Sequence, residues 1–148
     1  MTIKIVDAKF REDFDQIAIH PLQSWPWGEF REKLGQKIIR LGKFNGEKLI
    51  AGIQISIHQI PHTNWTIGYC PRGIMLDKEW VDAVKTETKK FNCVFVKFEP
   101  DVKNQESGIR NQELITLGLR PGKPLFTSFT FQLDLTKSEE ELLGGMKP

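Results

Sequence analysis

Two histidines have a spacing that is found in metal sites. His58 and His62 stand four residues apart, as paired metal ligands on a helix do. Pro61 and the strand-like composition around them disfavour a helix, and residues four apart in a strand lie about 13 Å apart. Zinc needs three or four protein ligands, and no further cluster is present in the sequence. We therefore predict no metal site. A Ser-His-Asp order, a Walker loop and a dinucleotide fingerprint are also missing.

Composition and charge narrow the class of protein. The chain has 148 residues, of which 39% are hydrophobic and 27% charged, the balance of a soluble globular domain. The net charge of +2 is too small to indicate general nucleic-acid binding, although it leaves room for a local basic patch facing an anionic ligand. No segment has the apolar length of a signal peptide or a transmembrane helix. We expect a cytoplasmic protein in which Cys70 and Cys93 are reduced.

The elements that must position any site alternate between strands and helices. Apolar periodicity and turn residues predict strands over 3–6, 37–43, 48–59, 65–69, 93–98 and 129–135, and helices over 9–18, 25–34, 78–90 and a stretch ending at 117. Asn45-Gly46 supplies a tight turn between two strands, because both residue types accept positive φ. This order predicts an α/β or α+β fold with a mixed sheet.

Two helix starts are indicated by capping residues. Ser24 is the predicted N-cap of a helix on which Trp27, Phe30 and Leu34 share one face, so core packing is favoured for Trp27. Arg31 lies one turn beyond Trp27 and flanks that face. Near the end of the chain, Thr136-Lys-Ser-Glu139 has the sequence of a capping box and predicts another helix.

Four motifs in order resemble the first domain of the Fem-type (FemABX) peptidoglycan aminoacyltransferases. They are Gln23-Ser-Trp-x-Trp-Gly-x-Phe-Arg31, Pro71-Arg-Gly73, Phe98-Glu-Pro100 and the segment from Leu133 to Leu142. The resemblance implies a GNAT-like N-acyltransferase fold, with a mainly antiparallel mixed sheet flanked by helices. Residues 1–135 would form this first domain. Residues 136–148 would begin a helix leading to a second domain that is missing from this chain.

The resemblance also implies an activity. Fem-type enzymes transfer an amino acid from aminoacyl-tRNA to an amine on the stem peptide of a peptidoglycan precursor, which is UDP-muramyl pentapeptide or its lipid-linked form. Contacts with tRNA would belong to the second domain, so this chain alone is expected to be inactive. No cofactor is implied, and a lipid-linked precursor would bring peripheral membrane association. The Gly-rich pyrophosphate loop of acetyl-CoA-dependent members of the fold is missing, which disfavours acetyl-CoA as the donor.

Five residues are candidate contacts of the precursor, and two of them, Arg31 and Glu99, correspond to positions that lie against it in that family. Arg31 would pair with the diphosphate, for which a planar guanidinium is suited. Glu99 would lie near the acceptor amine, as a proton acceptor or, as we prefer, a positioning group. Arg72 and Gly73 would contact the nucleotide or muramyl part, and Trp25 could stack on a uracil or sugar ring.

Each of these assignments has a structural alternative. Arg31 could be a solvated surface arginine. Glu99 could be a loop carboxylate paired with Lys97 or Arg72, and Gly73 could be required by a tight turn.

Two other functions stay open at this point. The chain could be a non-catalytic module that binds a muramyl nucleotide or docks on a separately encoded partner. It could also be a different GNAT-like N-acyltransferase that uses acyl-CoA.

Overall fold

The centre of the molecule is one five-stranded sheet. A computed structural model describes residues 1–101, 114–127 and 133–146 of the chain. The strands are β1 (Thr2–Ile5), β2 (Lys37–Asn45), β3 (Lys48–Gln59), β4 (Thr66–Gly73) and β5 (Cys93–Pro100). They lie side by side in sequence order. The first three pairings are antiparallel and the pairing of β4 with β5 is parallel. The predicted mixed, mainly antiparallel sheet is therefore confirmed.

Helices cover both faces of this sheet. They are α1 (Arg11–Ile17), α2 (Trp25–Lys33), α3 (Lys78–Lys89) and α4 (Glu139–Gly144), with 3-10 turns at Ala8–Phe10 and Pro21–Gln23. Residues 114–116 are also helical. The longest, α3, has 12 residues, and none of the described helices has the length and apolarity to cross a bilayer.

The central hairpin forms as predicted, but its turn is shifted by one residue: Gly46 and Glu47 lie between the strands, and Asn45 stays in β2 without positive φ. β2 and β3 pair from Lys37↔Ile57 to Asn45↔Lys48. Gly46 takes φ +60, which a residue without Cβ adopts at little cost. Because side chains alternate along a strand, this register sends Ile53 and Ile55 to one face and Gln54 and Ser56 to the other.

The two faces are packed differently. On the α3 face, Trp80 and Val84 join the strand residues in one apolar cluster. Asp77 begins α3 by accepting a hydrogen bond from the Trp80 backbone N–H at 3.0 Å. On the other face, Phe14 of α1 is 1% exposed and packs beside Gly52 of β3. The second face also holds polar side chains, and it carries the candidate site.

The orientation of α2 differs from the prediction. Trp25 is the core residue, only 5% exposed, and its ring meets Phe14 edge-on at 5.9 Å. Phe30 is 48% and Leu34 59% exposed, and Trp27 is half-buried. The physical reason is that α2 turns Gly28 toward polar groups of the sheet, so the side occupied by Trp27 cannot face the core.

The C-terminal segment also differs from the prediction in its capping. The capping box joins Ser138 and Glu141, each accepting a hydrogen bond from the other's backbone N–H, at 3.3 and 2.9 Å. The Thr136 hydroxyl instead donates to Asp134 at 2.6 Å. Of the predicted strand over 129–135, residues 129–132 lie outside the described residues, and 133–135 are not in a strand.

Candidate functional site

The first motif of the sequence proves to be an attachment of α2 to the sheet. Gln23 is 2% exposed and bridges two strands with its carboxamide. Its Nε2 donates to the carbonyls of Pro71 at 2.6 Å and Gln54 at 3.2 Å, and its Oε1 accepts from the Gln54 backbone N–H at 2.7 Å. Ser24 caps α2 by accepting from the Trp27 N–H at 3.3 Å. These hydrogen bonds fix where α2 begins.

A buried arginine completes the attachment. Arg40 of β2 is 9% exposed, donates to Gln54 Oε1 at 2.9 Å, and lies 4.1 Å from the Trp25 ring centroid. Its two Nη nitrogens pair with Glu32 at 3.3 Å each. A Cβ on Gly28 would overlap Gln54 Oε1 and Arg40 Nη2, so a larger residue would displace this hydrogen-bonded pair. The motif therefore positions α2, and Trp25 is buried between Phe14 and Arg40.

Arg31 lies one turn after Gly28 on α2 and is half-buried. Its Nε donates to Gln36 Oε1 at 2.7 Å, and its guanidinium carbon is 5.8 Å from the Trp27 ring centroid. Within the described part of the chain, no carboxylate pairs with it, and neither Nη nitrogen has a hydrogen-bond partner. Trp27 and Gln36 thus orient a guanidinium whose outer edge is available for an anion.

Beyond the cover of α2, one face of the sheet carries a row of polar side chains, here called the polar face. The pairings Ser56↔Tyr69 and Tyr69↔Lys97 bring β3, β4 and β5 side chains into line. The polar face consists of Ser56, His58, Tyr69, Lys97 and Glu99. Its members alternate with the apolar residues that pack against α3.

His58 of the polar face is held by a hydrogen bond to Ser56. Its Nε2 lies 2.8 Å from Ser56 Oγ, and the Ser56 hydroxyl donates to the Tyr69 carbonyl at 3.3 Å. Ser56 Oγ then accepts from the Nε2–H of His58, an assignment made from the hydrogen-bond network. Burial lowers the pKa of His58 below its ordinary value, and the positive charge of Arg31 lowers it further.

Glu99 has both carboxylate oxygens engaged. It accepts hydrogen bonds from the Tyr69 hydroxyl and from the Leu125 backbone N–H. Burial alone would raise the pKa of Glu99, but these donors, the Phe126 N–H and the charge of Lys97 outweigh it and hold the pKa below its ordinary range. Burial, followed by the hydrogen bond to Glu99, raises the pKa of Tyr69 well above its ordinary value. This geometry fits the positioning role better than that of a free base.

Arg72 is braced by neighbours at the end of β4. It pairs with Asp101 at 3.5 Å, donates to the Thr127 carbonyl at 3.3 Å, and lies 5.5 Å from the Phe126 ring centroid. It also takes the positive φ, +49, that the sequence suggested for Gly73. A Cβ on Gly73 would come within 2.9 Å of Cys70 Sγ. The tight-turn explanation of Gly73 is therefore wrong, and close packing against Cys70 explains the glycine. A ligand contact by either residue stays a prediction.

The predicted site residues thus fall into three places. Glu99 and Arg72 come together at the carboxyl ends of β4 and β5, Arg31 lies near His58, and Trp25 lies in the core. Sequence reasoning missed His58 and Tyr69 as members of the site. Their signal was the alternation of polar residues in β3 and β4, which becomes informative only with the strand register.

The start of α3 is occupied by a carboxylate. Helix N-termini bind phosphate through free backbone N–H groups. Here the Asp77 side chain already accepts from the Trp80 N–H, and Lys43 pairs with Asp77 at 3.4 Å and with Glu79 at 2.8 Å. A pyrophosphate placed there would meet the charge of Asp77, so this end of α3 is poorly suited to a nucleotide cofactor.

Metal ligands do not converge in the part of the chain that the structure covers. Across residues 1–101, 114–127 and 133–146, no three His, Cys, Asp or Glu side chains are placed to hold a metal ion. His62 lies in a turn with φ +60, whereas His58 lies in β3. Both cysteines are free; Cys70 is buried, and burial raises its pKa to about 12.

Comparison with solved structures identifies the fold. The crystal structure of FemX superimposes with a TM-score of 0.73 and 19% identity over 100% of this chain and 41% of FemX. An aminoglycoside 6'-N-acetyltransferase from Acinetobacter haemolyticus gives 0.53 and 16%, over 90% of this chain and all of that one. A putative acetyltransferase from Agrobacterium tumefaciens gives 0.57 and 11%, with the same coverage.

The fold is that of the GNAT-like N-acyltransferases. The resemblance to a Fem-type GNAT-like domain is confirmed at the level of the fold. No protein-family profile matches the sequence, and no curated protein matches it. The chain spans less than half the length of FemX, so the activity of a complete enzyme is not carried over with the fold.

Proposed function

We propose that this chain is the precursor-binding domain of an aminoacyltransferase that builds peptidoglycan bridges. The complete enzyme would transfer an amino acid from aminoacyl-tRNA to an amine on the stem peptide of UDP-muramyl pentapeptide or its lipid-linked form. The ester bond between the amino-acid carbonyl carbon and the tRNA oxygen breaks, and the acceptor amine forms an amide with that carbon. The amine proton is balanced by the hydroxyl of the departing tRNA. The reaction takes place in the cytoplasm, and tRNA contacts lie outside this domain.

The observation that carries the proposal is the superposition on FemX. It covers the whole chain at a TM-score of 0.73, whereas the two acetyltransferases reach 0.53 and 0.57 over 90% of it. Asp77 at the start of α3 supports the same conclusion, because it disfavours a pyrophosphate-bearing acyl donor at that helix.

In this proposal, Arg31 binds the diphosphate of the precursor. Trp27 and Gln36 orient its guanidinium, and its outer nitrogens have no described partner. Glu99 and Tyr69 lie on the polar face, where the carboxylate helps to orient the acceptor amine. Arg72 shapes the end of β4 and contacts the nucleotide or muramyl part.

Isothermal titration of UDP-muramyl pentapeptide against this chain tests the assignment of Arg31. Loss of a bidentate contact to phosphate should weaken binding of Arg31→Ala about tenfold or more, because hydrogen bonds to charged groups contribute roughly 1.5–3 kcal/mol. Lys33→Ala is the matched control, since it removes one positive charge from an exposed position of the same helix. Equal affinities for wild type and Arg31→Ala would refute the assignment.

An acyl-CoA-dependent N-acyltransferase is the second candidate. The structural likeness to acetyltransferases that this chain matches along their whole length favours it. It requires acetyl-CoA to bind near the start of α3. Asp77→Ala should then improve binding of acetyl-CoA, and failure of wild type and variant to bind it would exclude this candidate.

A further inference from the structure

A polar cleft of about 500 Å³ opens at the end of the sheet opposite Glu99. It is formed by the start of β2, the end of β3, the start of β4 and the turn that follows α3. The side chains that matter here are Gln36, Lys37, His58, Gln59, Asn64 and Asn92. None of the residues so far given a ligand role lines this cleft.

The lining of the cleft favours negative charge in a ligand. It contains a lysine, a histidine and four carboxamides, and no aspartate or glutamate. Lys37 Nζ lies 5.8 Å from the Phe91 ring centroid, and no described carboxylate pairs with it. Gln36 Oε1 accepts from Arg31 Nε, which leaves the Gln36 Nε2 group as a donor.

The groups around His58 give this region a positive potential. The charge of Arg31 on α2 acts on His58, and Lys37, which pairs with Ile57 at the start of β2, lines the same cleft. The charge of Arg31 already disfavours the protonated imidazole. An anion in the cleft would reverse this effect, because opposite charge favours the protonated form.

We propose that this cleft binds an oxyanion, a phosphate or a carboxylate, through the Lys37 ammonium and the side-chain amides of Gln36 and Asn64. The inference goes beyond the proposed function, because it requires neither a muramyl group nor transfer activity. An ammonium and amide N–H groups are suited to an oxyanion, since each donates a hydrogen bond and one brings compensating charge.

Proton NMR of the imidazole Cε1–H of His58 in the full chain tests the proposal, with the resonance assigned by its loss in His58→Gln. Inorganic phosphate and, separately, acetate are titrated at constant ionic strength. We expect a saturable shift of this resonance and a higher pKa of His58 with anion bound. Lys37→Gln should weaken binding about tenfold, the value of one charge-assisted hydrogen bond. Lys48→Gln, an exposed lysine at the start of β3, is the charge-matched control and should bind as wild type.

The two anions distinguish the sources of the oxyanion. Saturation by phosphate alone assigns a phosphate-bearing ligand, and saturation by acetate extends the site to carboxylates. The proposal is overturned if neither anion gives a saturable shift, or if Lys37→Gln binds as tightly as wild type. Failure of UDP-muramyl pentapeptide to bind would count against the proposed function and leave this result unchanged.

Discussion

Arg31 differs from the neighbouring arginines in what its guanidinium contacts. Arg40 is engaged by Glu32 and Gln54, and Arg72 by Asp101 and a carbonyl. Among the described residues, Arg31 makes a hydrogen bond only through its Nε, to Gln36. Sequence could nominate Arg31 through its position after Trp27. It could not show which arginine is available, because the partners of Arg40 and Arg72 come from distant parts of the chain.

The effect of the Arg31 charge on the pKa of His58 can be measured directly. His58 in wild type should titrate below its ordinary pKa of about 6.5, because of burial and then the charge of Arg31. Removing that charge in Arg31→Ala should raise the pKa of His58 toward, but not to, the ordinary value, since burial remains. An NMR titration of wild type and variant checks this. An unchanged pKa would contradict the electrostatic effect of Arg31 on His58.

The hydrogen bond between Tyr69 and Glu99 makes a prediction about stability. Tyr69→Phe should lower the free energy of unfolding at pH 7 by about 1 kcal/mol, a low value for a bond to a charged group because Glu99 is partly solvated. Urea unfolding at several pH values is the measurement.

The sign of the pH dependence follows from the depressed pKa of Glu99. The carboxylate contributes stability above its unfolded pKa of about 4.3, and this is lost as pH falls through the lower folded pKa. The difference between wild type and Tyr69→Phe should therefore be full at pH 7 and shrink below about pH 4. A difference that grows on acidification would contradict the account.

At the scale of elements, features that depend on local sequence were easier to predict than features that depend on contacts with distant residues. The hairpin of β2 and β3 was predictable from Asn45-Gly46, although Asn45 remains in β2 without positive φ and the turn residues are Gly46 and Glu47. The buried side of α2 was not, because it faces polar groups. Gly28 lies against Arg40 and Gln54, and a search for apolar periodicity selects Trp27, Phe30 and Leu34 instead. The capping box was misplaced by two residues, since both Thr136 and Ser138 have capping side chains.

The close approach at Gly28 predicts a destabilising substitution. Gly28→Ala should lower the free energy of unfolding by roughly 1–2 kcal/mol, because overlap with Arg40 and Gln54 exceeds the gain in helix propensity. Gly144→Ala in α4, where an added Cβ meets nothing within 4 Å, is the control and should cause no loss. Urea denaturation of both variants decides the matter. A Gly28→Ala variant as stable as wild type would show that α2 is not held as described.

At the scale of the whole molecule, the sheet register decides which residues share a site. The mixed sheet and GNAT-like fold were predictable from the order of elements and the motifs. The placement of His58 beside Arg31, and of Tyr69 beside Glu99, depends on pairings among β3, β4 and β5 that sequence does not specify. These pairings separate a region at Arg31 and His58 from another at Glu99 and Arg72.

The central claim is that this GNAT-like domain binds a muramyl nucleotide and not acyl-CoA. Calorimetric titration of one preparation with UDP-muramyl pentapeptide and, in parallel, with acetyl-CoA tests it most directly. We expect saturable binding of the precursor and no heat of binding for acetyl-CoA. Saturable binding of acetyl-CoA without binding of the precursor would contradict the account and favour an ordinary N-acetyltransferase.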